Sequence, residues 1–97
     1  MTRYVILLNF TDKGVAAFKD SLARAEAFRQ RVAQQGAKVE ALYWTLGSYH
    51  GLLILSAPDE TTAAALVLGL GSKDYVRTTM LRAFDAEQFQ AIVARTA

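Results

Sequence analysis

Three strand-like segments of this sequence are apolar on both of their faces, and this pattern restricts the possible folds more than any other feature. The segments are Tyr4–Phe10, Lys38–Leu46 and Tyr49–Ala57. A strand with one face in water alternates apolar and polar residues, whereas a strand covered on both faces is apolar throughout. Both faces of the sheet that these segments form must therefore be covered.

The first helical segment, Asp12–Gln35, follows the first strand. Asp20 or Ser21 can cap its main part, so Asp12–Lys19 is predicted to be a separate short turn of helix. Gly36 is suited to end the helix, because glycine is the usual residue just past a helix end. An apolar stripe recurs at spacings of three and four residues. It consists of Leu22, Ala25, Phe28 and Val32.

The dipeptide Gly47-Ser48 separates the second and third strand segments. Two residues are the length of a tight hairpin turn, and glycine supplies the positive φ that the first turn position requires. The turn therefore predicts that the two strands are antiparallel neighbours. The expected cross-strand pairs are Leu46 with Tyr49, Thr45 with His50, Trp44 with Gly51, and Tyr43 with Leu52.

A second helix is predicted after the hairpin. Asp59 or Thr61 can cap its start, and the segment Gly69–Ser72 is expected to end it near Leu70. Those glycines superficially suggest a phosphate-binding loop. A phosphate loop follows a strand and opens a helix, whereas this segment closes one, so a helix end is the favoured interpretation.

The end of the chain completes the order of elements. Lys73–Phe84 is typical of a fourth strand, and Asp85 can cap a last short helix over Ala86–Ala94. The resulting order, β-α-β-β-α-β-α, predicts an α+β, ferredoxin-like fold with a four-stranded antiparallel sheet and helices on one face.

Two helices can cover only one face of that sheet, so the other face must meet a second sheet. A chain of 97 residues is predicted to be a single domain, residues 1–97, yet 53% of it is hydrophobic and it has no cysteine to form a stabilising disulfide. The simplest covering is a symmetry mate, which predicts a homodimer or higher homo-oligomer. Arg77 and Arg82, polar residues in the fourth strand, are expected to form ion pairs between subunits.

Charge and composition argue against several classes of function. Eleven basic and nine acidic residues nearly cancel. The basic residues of the first helical segment, Arg24, Arg29 and Arg31 among them, are interrupted by acidic ones and indicate a solvated helix face. Because they form no concentrated stripe, nucleic acid is not an expected partner.

Membrane and metal sites are not expected either. No segment reaches the 18 or so apolar residues of a membrane span, and no signal peptide is recognisable, so a soluble, cytoplasmic protein is expected. With one histidine and no cysteine, no metal or other cofactor is expected, although a lone axial haem ligand stays open.

The segment Tyr43–His50 resembles the signature of the GYD domain family. Further similarity lies in the opening Tyr4–Thr11, in Ala57-Pro58-Asp59 and in the stretch from Leu70 to Phe84. The resemblance covers essentially the whole chain. It implies a ferredoxin-like fold and a dimeric α/β-barrel type of assembly, and it implies no particular activity.

The family is named for a Gly-x-Tyr-Asp motif, from which this chain departs in one position. Gly47 and Tyr49 are kept, whereas His50 stands where the motif has aspartate. A role that depends on that carboxylate is therefore not carried over to this chain.

His50 is the candidate catalytic residue, because histidine changes its charge closest to neutral pH. Its register places it opposite Thr45, in a small polar cluster on one sheet face. The alternative is a half-solvated histidine near a hairpin end. In related barrels a pocket between sheet and helices is the usual place for a small ligand, by analogy. The candidate ligand-binding residues there are Asn9, Tyr43, Trp44 and Tyr49.

Two functions stay open at this point. The first is an oligomeric module that binds a small, largely apolar ligand or acts in assembly. The second is a cofactor-independent enzyme, like a monooxygenase or isomerase, which acts on a small aromatic or carbonyl substrate with His50 as base. An enclosed pocket above about 300 Å³ with His50 directed into it would favour the enzyme.

Overall fold

Four strands form one antiparallel sheet in the computed structural model, which describes residues 1–96. The strand order is β2-β3-β1-β4. This order and the connections between the strands are those of the predicted α+β, ferredoxin-like fold. The strands are β1 (Thr2–Phe10), β2 (Lys38–Trp44), β3 (Gly51–Ala57) and β4 (Val76–Ala83).

The helices begin close to the residues that the sequence predicts. A short 3₁₀ helix, Phe18–Asp20, separates the first two of them, as expected for a distinct turn before the main helix. Gly36 has a φ of 72° just past the second helix and ends it, which confirms the predicted role of that glycine. The helices are α1 (Asp12–Ala16), α2 (Ser21–Gln34), α3 (Glu60–Ser72) and α4 (Ala86–Ala94). No helix within residues 1–96 is long and apolar enough to cross a membrane.

The core lies between one face of the sheet and the helices α2 and α3. Ile6, Leu53 and Leu55 from the sheet and Val32 from α2 are almost completely buried. Burial of each such side chain contributes about 1.5–3 kcal/mol. These contacts fix α2 and α3 on one face of the sheet. The buried residues of the core are Tyr4, Ile6, Phe28, Val32, Ala37, Val39, Leu53, Leu55, Ala57, Ala63, Leu66 and Val67.

The predicted hairpin register is confirmed. Tyr43 pairs with Leu52 and Trp44 with Gly51, and the Thr45 N–H donates to the His50 carbonyl oxygen at 3.0 Å. Regular strand structure stops at Trp44 and Gly51, two residues earlier on each side than predicted. The reason is that the backbone N–H of His50 turns to the carbonyl oxygen of Leu8 on β1, 2.8 Å away.

Two local predictions about the helices are wrong. Periodicity places Leu22 in the apolar stripe of α2, but this residue is 71% exposed. Two successive spacings of three residues carry it about 120° around the helix from the buried Phe28. Gly69 lies inside α3, which continues to Ser72. The chain turns out of this helix at Asp74, whose φ of 66° takes the left-handed conformation expected of a glycine.

The two arginines expected in ion pairs between subunits make contacts within their own chain. Arg77 donates to the Asp74 carboxylate at 2.8 Å. The guanidinium of Arg82 lies 4.5 Å from the ring centroid of Phe84 and 5.6 Å from that of Tyr4. The ion pairs between subunits therefore stay a prediction, and within the chain the charge of Arg77 is paired with Asp74.

The other face of the sheet is apolar and lies outside the core; we call it the open face. Its central residues are only half-buried, and Leu81 on β4 and Tyr43 on β2 are 46% and 63% exposed. Helix α4 does not cover it, since Phe89 and Val93 of that helix are themselves 57% and 50% exposed. By strand register the apolar side chains of the open face are Val5, Leu7, Ala41, Tyr43, Leu52, Ile54 and Leu81.

Asp59 caps α3 and provides a prediction about acid stability. The backbone N–H of Thr62 donates to its carboxylate at 2.8 Å, and this bond, with one from the Thr62 side chain, lowers the pKa of Asp59 below 3.8. A lowered folded pKa stabilises the protein above the unfolded value, and this contribution disappears as the pH falls through the folded pKa. Asp59→Ala should therefore lower the Tm at neutral pH, and the difference should shrink in acid. Thermal melts followed by circular dichroism across this range test it, and a difference that does not change with pH would contradict it.

Candidate functional site

A cavity of about 360 Å³ lies between the first three turns of α2, the ends of the strands and the end of α3. Small side chains create it, because Ala25 and Ala27 on α2 and Gly51 on β3 leave the space unfilled. Gly51 has little room for a larger residue, since a Cβ there would lie 3.2 Å from Leu8 Cδ1. The apolar part of the lining includes Leu8, Phe10, Phe28, Leu42, Leu53 and Leu70.

His50 lines this cavity, on the side of the sheet that faces the helices. Its imidazole stacks on the Phe10 ring with the ring centroids 5.1 Å apart. The backbone N–H of Phe10 donates to His50 Nδ1 at 3.0 Å. The sequence register predicts a polar cluster of His50 with Thr45, but these contacts hold the imidazole ring away from Thr45. The Thr45 hydroxyl donates instead to the Tyr49 carbonyl oxygen at 2.7 Å.

The hydrogen bond from Phe10 also determines the tautomer of His50. Because Nδ1 accepts a hydrogen bond, the proton of the neutral imidazole lies on Nε2. The ring nitrogen that a ligand can reach is therefore Nε2, which is a hydrogen-bond donor. A neutral His50 in this arrangement can donate a hydrogen bond but has no second lone pair with which to take a proton.

Three positively charged side chains take part in the lining of the cavity. Arg24, Arg31 and Lys73 contribute to its lining, and Asp20 is the acidic residue there. The guanidinium of Arg24 lies 4.2 Å from the centroid of the Tyr75 ring, which also lines the cavity. The site therefore combines an apolar interior with a cationic border.

The structure brings together some of the predicted site residues and separates others. Trp44 and His50 border the cavity. Tyr43 is part of the lining, but its register opposite Leu52 directs its side chain to the open face. Asn9 does not, since its register opposite Arg77 places it on the open face. Tyr49 lies in a shallower depression of about 250 Å³ beside the hairpin turn. The roles predicted for these five residues stay predictions, and the geometry favours Trp44 and His50, whose side chains lie on the cavity side of the sheet.

Sequence reasoning missed the cationic border. It assigns Arg24 and Arg31 to a solvated helix face, and it gives Tyr75 no role. One signal was available, because Arg24, Phe28 and Arg31 follow the i, i+4, i+7 spacing of a single helix face. That spacing places both arginines beside a buried phenylalanine.

Within residues 1–96 no group of three or more histidine, cysteine or carboxylate side chains is arranged to hold a metal ion. Most polar groups at the cavity are hydrogen-bond donors, namely the free Nε2–H of His50, the two guanidinium groups and Lys73, whereas the Asp20 carboxylate is the charged acceptor there. The arrangement is thus suited to non-covalent binding of a ligand that accepts hydrogen bonds.

Comparison with known proteins identifies the family of this chain and one curated relative. The model of the GYD domain matches residues 4–93, which confirms the resemblance seen in the sequence. A curated protein of Thermus thermophilus is named "Glutamine synthetase and cystathionine beta-lyase binding protein". It is 30% identical over 84 residues, which cover 86% of this chain and 88% of that protein.

Proposed function

This protein belongs to the GYD domain family, and we propose that it is a binding module that holds a small, largely apolar ligand and works as a homodimer. The observation that carries the ligand-binding part is the cavity between sheet and helices. Its volume of about 360 Å³ lies at the small end of the range for ligand pockets, which is about 300–1,000 Å³. Its apolar lining with a few polar groups at the border is typical of such pockets.

We favour binding over catalysis because of the hydrogen bond at His50. The size of the cavity and the position of the imidazole on its wall suit an enzyme as well as a binding protein. A general base, however, needs a free lone pair within reach of the substrate. The Phe10 N–H occupies Nδ1 at 3.0 Å, so the neutral ring offers a donor. Such a donor orients a ligand without removing a proton from it.

Binding can be measured with the neutral fluorescent probe N-phenyl-1-naphthylamine. Trp44 is the sole tryptophan of the sequence and borders the cavity, so energy transfer from Trp44 to the probe reports binding close to it. Ala25→Leu should fill part of the cavity and weaken probe binding by about tenfold, because the added atoms take the space of the ligand. Titration of both proteins gives the two Kd values.

Ala23→Leu is the matched control, since Ala23 is exposed on the same helix and does not line the cavity. We expect its Kd to equal that of the unmodified protein. Absence of probe binding, or equal effects of the two substitutions, would overturn the assignment of this cavity as the ligand site.

The homodimer part of the proposal is supported by the open face. Strands of seven to nine residues, with the usual spacings of strands and residues, give this face an area of about 500 Å² per subunit. Two such faces bury about 1,000 Å², which is near the lower limit for a specific interface. The exposed Phe89 and Val93 of α4 can add to this area.

A second candidate, assembly with other proteins, is favoured by exposed apolar residues at the hairpin tip. Leu46 is 98% exposed and Tyr49 is 39% exposed. The Thermus thermophilus relative is named for binding glutamine synthetase and cystathionine beta-lyase. Biolayer interferometry with the purified glutamine synthetase of the source organism would test the corresponding interaction. Binding that Leu46→Ser weakens would support it, and absence of binding would contradict it.

A further inference from the structure

We propose that the ligand of the cavity is a small organic anion, with an apolar body inside the cavity and a carboxylate or similar acid group at its border. This inference rests on the proposed ligand-binding function of the same site. It goes further in assigning a charge to the ligand and the residues that recognise that charge.

The first observation is an excess of cations that have no carboxylate partner. Arg24, Arg31 and Lys73 line the cavity together with a single acidic residue, Asp20. Within residues 1–96, neither arginine nor Lys73 lies within 4.0 Å of a carboxylate oxygen, since the ion pairs found there are Lys38–Glu40 and Arg77–Asp74. The cationic border is therefore available to an anion from outside the chain.

The second observation is that Arg24 is held in place. Its guanidinium donates to the Ala17 carbonyl oxygen at 3.0 Å and to Ser21 Oγ at 3.2 Å. It also lies over the Tyr75 ring at 4.2 Å. A guanidinium has five N–H donors, so two hydrogen bonds leave three donors for a ligand. A group held in this way loses little conformational entropy when an anion binds.

The third observation is a second cation on the same ring. Lys13 Nζ lies 4.4 Å from the Tyr75 ring centroid and donates to the Lys73 carbonyl oxygen at 3.3 Å. Two cations within about 5 Å of one ring repel each other, and a bound anion would relieve this repulsion. The position of Lys13 therefore increases the preference for a negatively charged ligand.

The interior of the cavity determines the rest of the ligand. Phe28, Leu53 and Leu70 offer no polar side-chain atoms to it, so the body of the ligand must be apolar to leave water. The Nε2 donor of His50 can meet a second acceptor on that body. A small aromatic or aliphatic acid has this combination of properties, whereas an inorganic anion lacks the apolar part.

Two fluorescent probes that differ mainly in one charged group test the inference. These are 8-anilinonaphthalene-1-sulfonate, which is an anion, and neutral N-phenyl-1-naphthylamine. At low ionic strength the unmodified protein should bind the anion at least about tenfold more tightly, because charge-assisted hydrogen bonds are stronger in a partly enclosed site. Weaker binding of both probes to Ala25→Leu would confirm that they occupy the cavity.

Arg24→Gln and Arg31→Gln should each reduce the preference for the anionic probe and leave the Kd of the neutral probe unchanged. Two separate variants are needed because Arg24 also contacts Ala17, and circular dichroism verifies that each is folded. Arg29→Gln is the matched control, since Arg29 is exposed on the same helix and does not line the cavity. It should keep the full preference.

The outcomes distinguish this inference from the proposed function. Equal affinity for both probes, unaffected by the arginine substitutions, would overturn the anion inference and leave ligand binding standing. Failure of both probes to bind would overturn both. Displacement of the anionic probe by a single-stranded oligonucleotide, but not by benzoate or octanoate, would assign the cations to a polyanion surface and overturn the inference.

Discussion

Ile54→Lys is expected to dissociate the proposed homodimer, with a dimer Kd raised at least about a hundredfold. Ile54 lies at the centre of the open face, between Val5 on β1 and Ala41 on β2. A two-fold axis through this face would bring together two lysines, one from each subunit. Each would lose its hydration without gaining a carboxylate partner. Sedimentation velocity at micromolar concentration would measure the change.

Leu68→Lys provides the control for this prediction. Leu68 is 77% exposed on α3, on the helix side of the sheet, so the same change in charge and hydropathy should leave the dimer intact. A sedimentation coefficient of a monomer for the unmodified protein would contradict the proposed assembly. The same conclusion would follow if Ile54→Lys remained dimeric, because a buried, unpaired lysine at the centre of an interface is strongly unfavourable.

Gly14→Ala is expected to lower the free energy of unfolding by about 3 kcal/mol, near the upper end for overpacking a tight site. Gly14 is buried in α1, and a Cβ there would lie 2.0 Å from the carbonyl oxygen of Tyr75. That oxygen is backbone, and it accepts a hydrogen bond of 3.1 Å from the Thr11 N–H. It therefore cannot move without breaking the connection between the ends of β1 and β4. Urea denaturation would measure the loss.

Gly69→Ala is the matched control, because a Cβ at Gly69 in α3 meets nothing within 4 Å. Replacing a glycine inside a helix by alanine should stabilise the protein by up to about 1 kcal/mol. The two glycine substitutions are thus expected to have opposite signs. If Gly14→Ala left the free energy of unfolding unchanged, that result would contradict the close contact between Gly14 and the Tyr75 carbonyl oxygen.

The effect of Gly14→Ala should extend to the cavity. Tyr75 carries the ring between Lys13 and Arg24, and its backbone is the part that the new methyl group would displace. The substitution should consequently weaken binding of the anionic probe more than binding of the neutral probe, as long as the variant remains folded. Such a result would connect the packing of α1 to the recognition of charge.

Much of the fold could be predicted because the signals for it are local. The Gly47-Ser48 turn and the strand segments beside it predict the pairs of Tyr43 with Leu52 and of Trp44 with Gly51, which the structure confirms. Asp85 predicts the start of α4, and its carboxylate accepts from the Gln88 N–H at 2.8 Å. Caps and turns depend on residues two to four positions apart, so a single sequence contains the information.

The candidate site could be predicted only in part. The sequence places Trp44 and His50 at a pocket, and both border one. The sequence does not predict that Arg24 and Lys73 line this pocket. Arg24 lies near the start of α2 and Lys73 at the end of α3, and no local pattern indicates that these two helix ends meet at the same cavity. Leu22 shows a related difficulty, since spacings of three and four residues place it on the apolar stripe, whereas it lies about 120° around the helix from Phe28 and is exposed.

The sequence by itself determined the order of elements, the hairpin register and the presence of a sheet that is apolar on both faces. Only the tertiary structure decided on which side of the sheet His50 lies. Strict alternation from Leu52 would place it on the open face, but pairing stops at Gly51 and the Phe10 N–H binds Nδ1. Phe10 is 40 residues away along the chain, and a contact over that distance follows from packing instead of local pattern. That contact places His50, whose sheet face the sequence leaves open, at the wall of the cavity, with Nδ1 accepting a hydrogen bond.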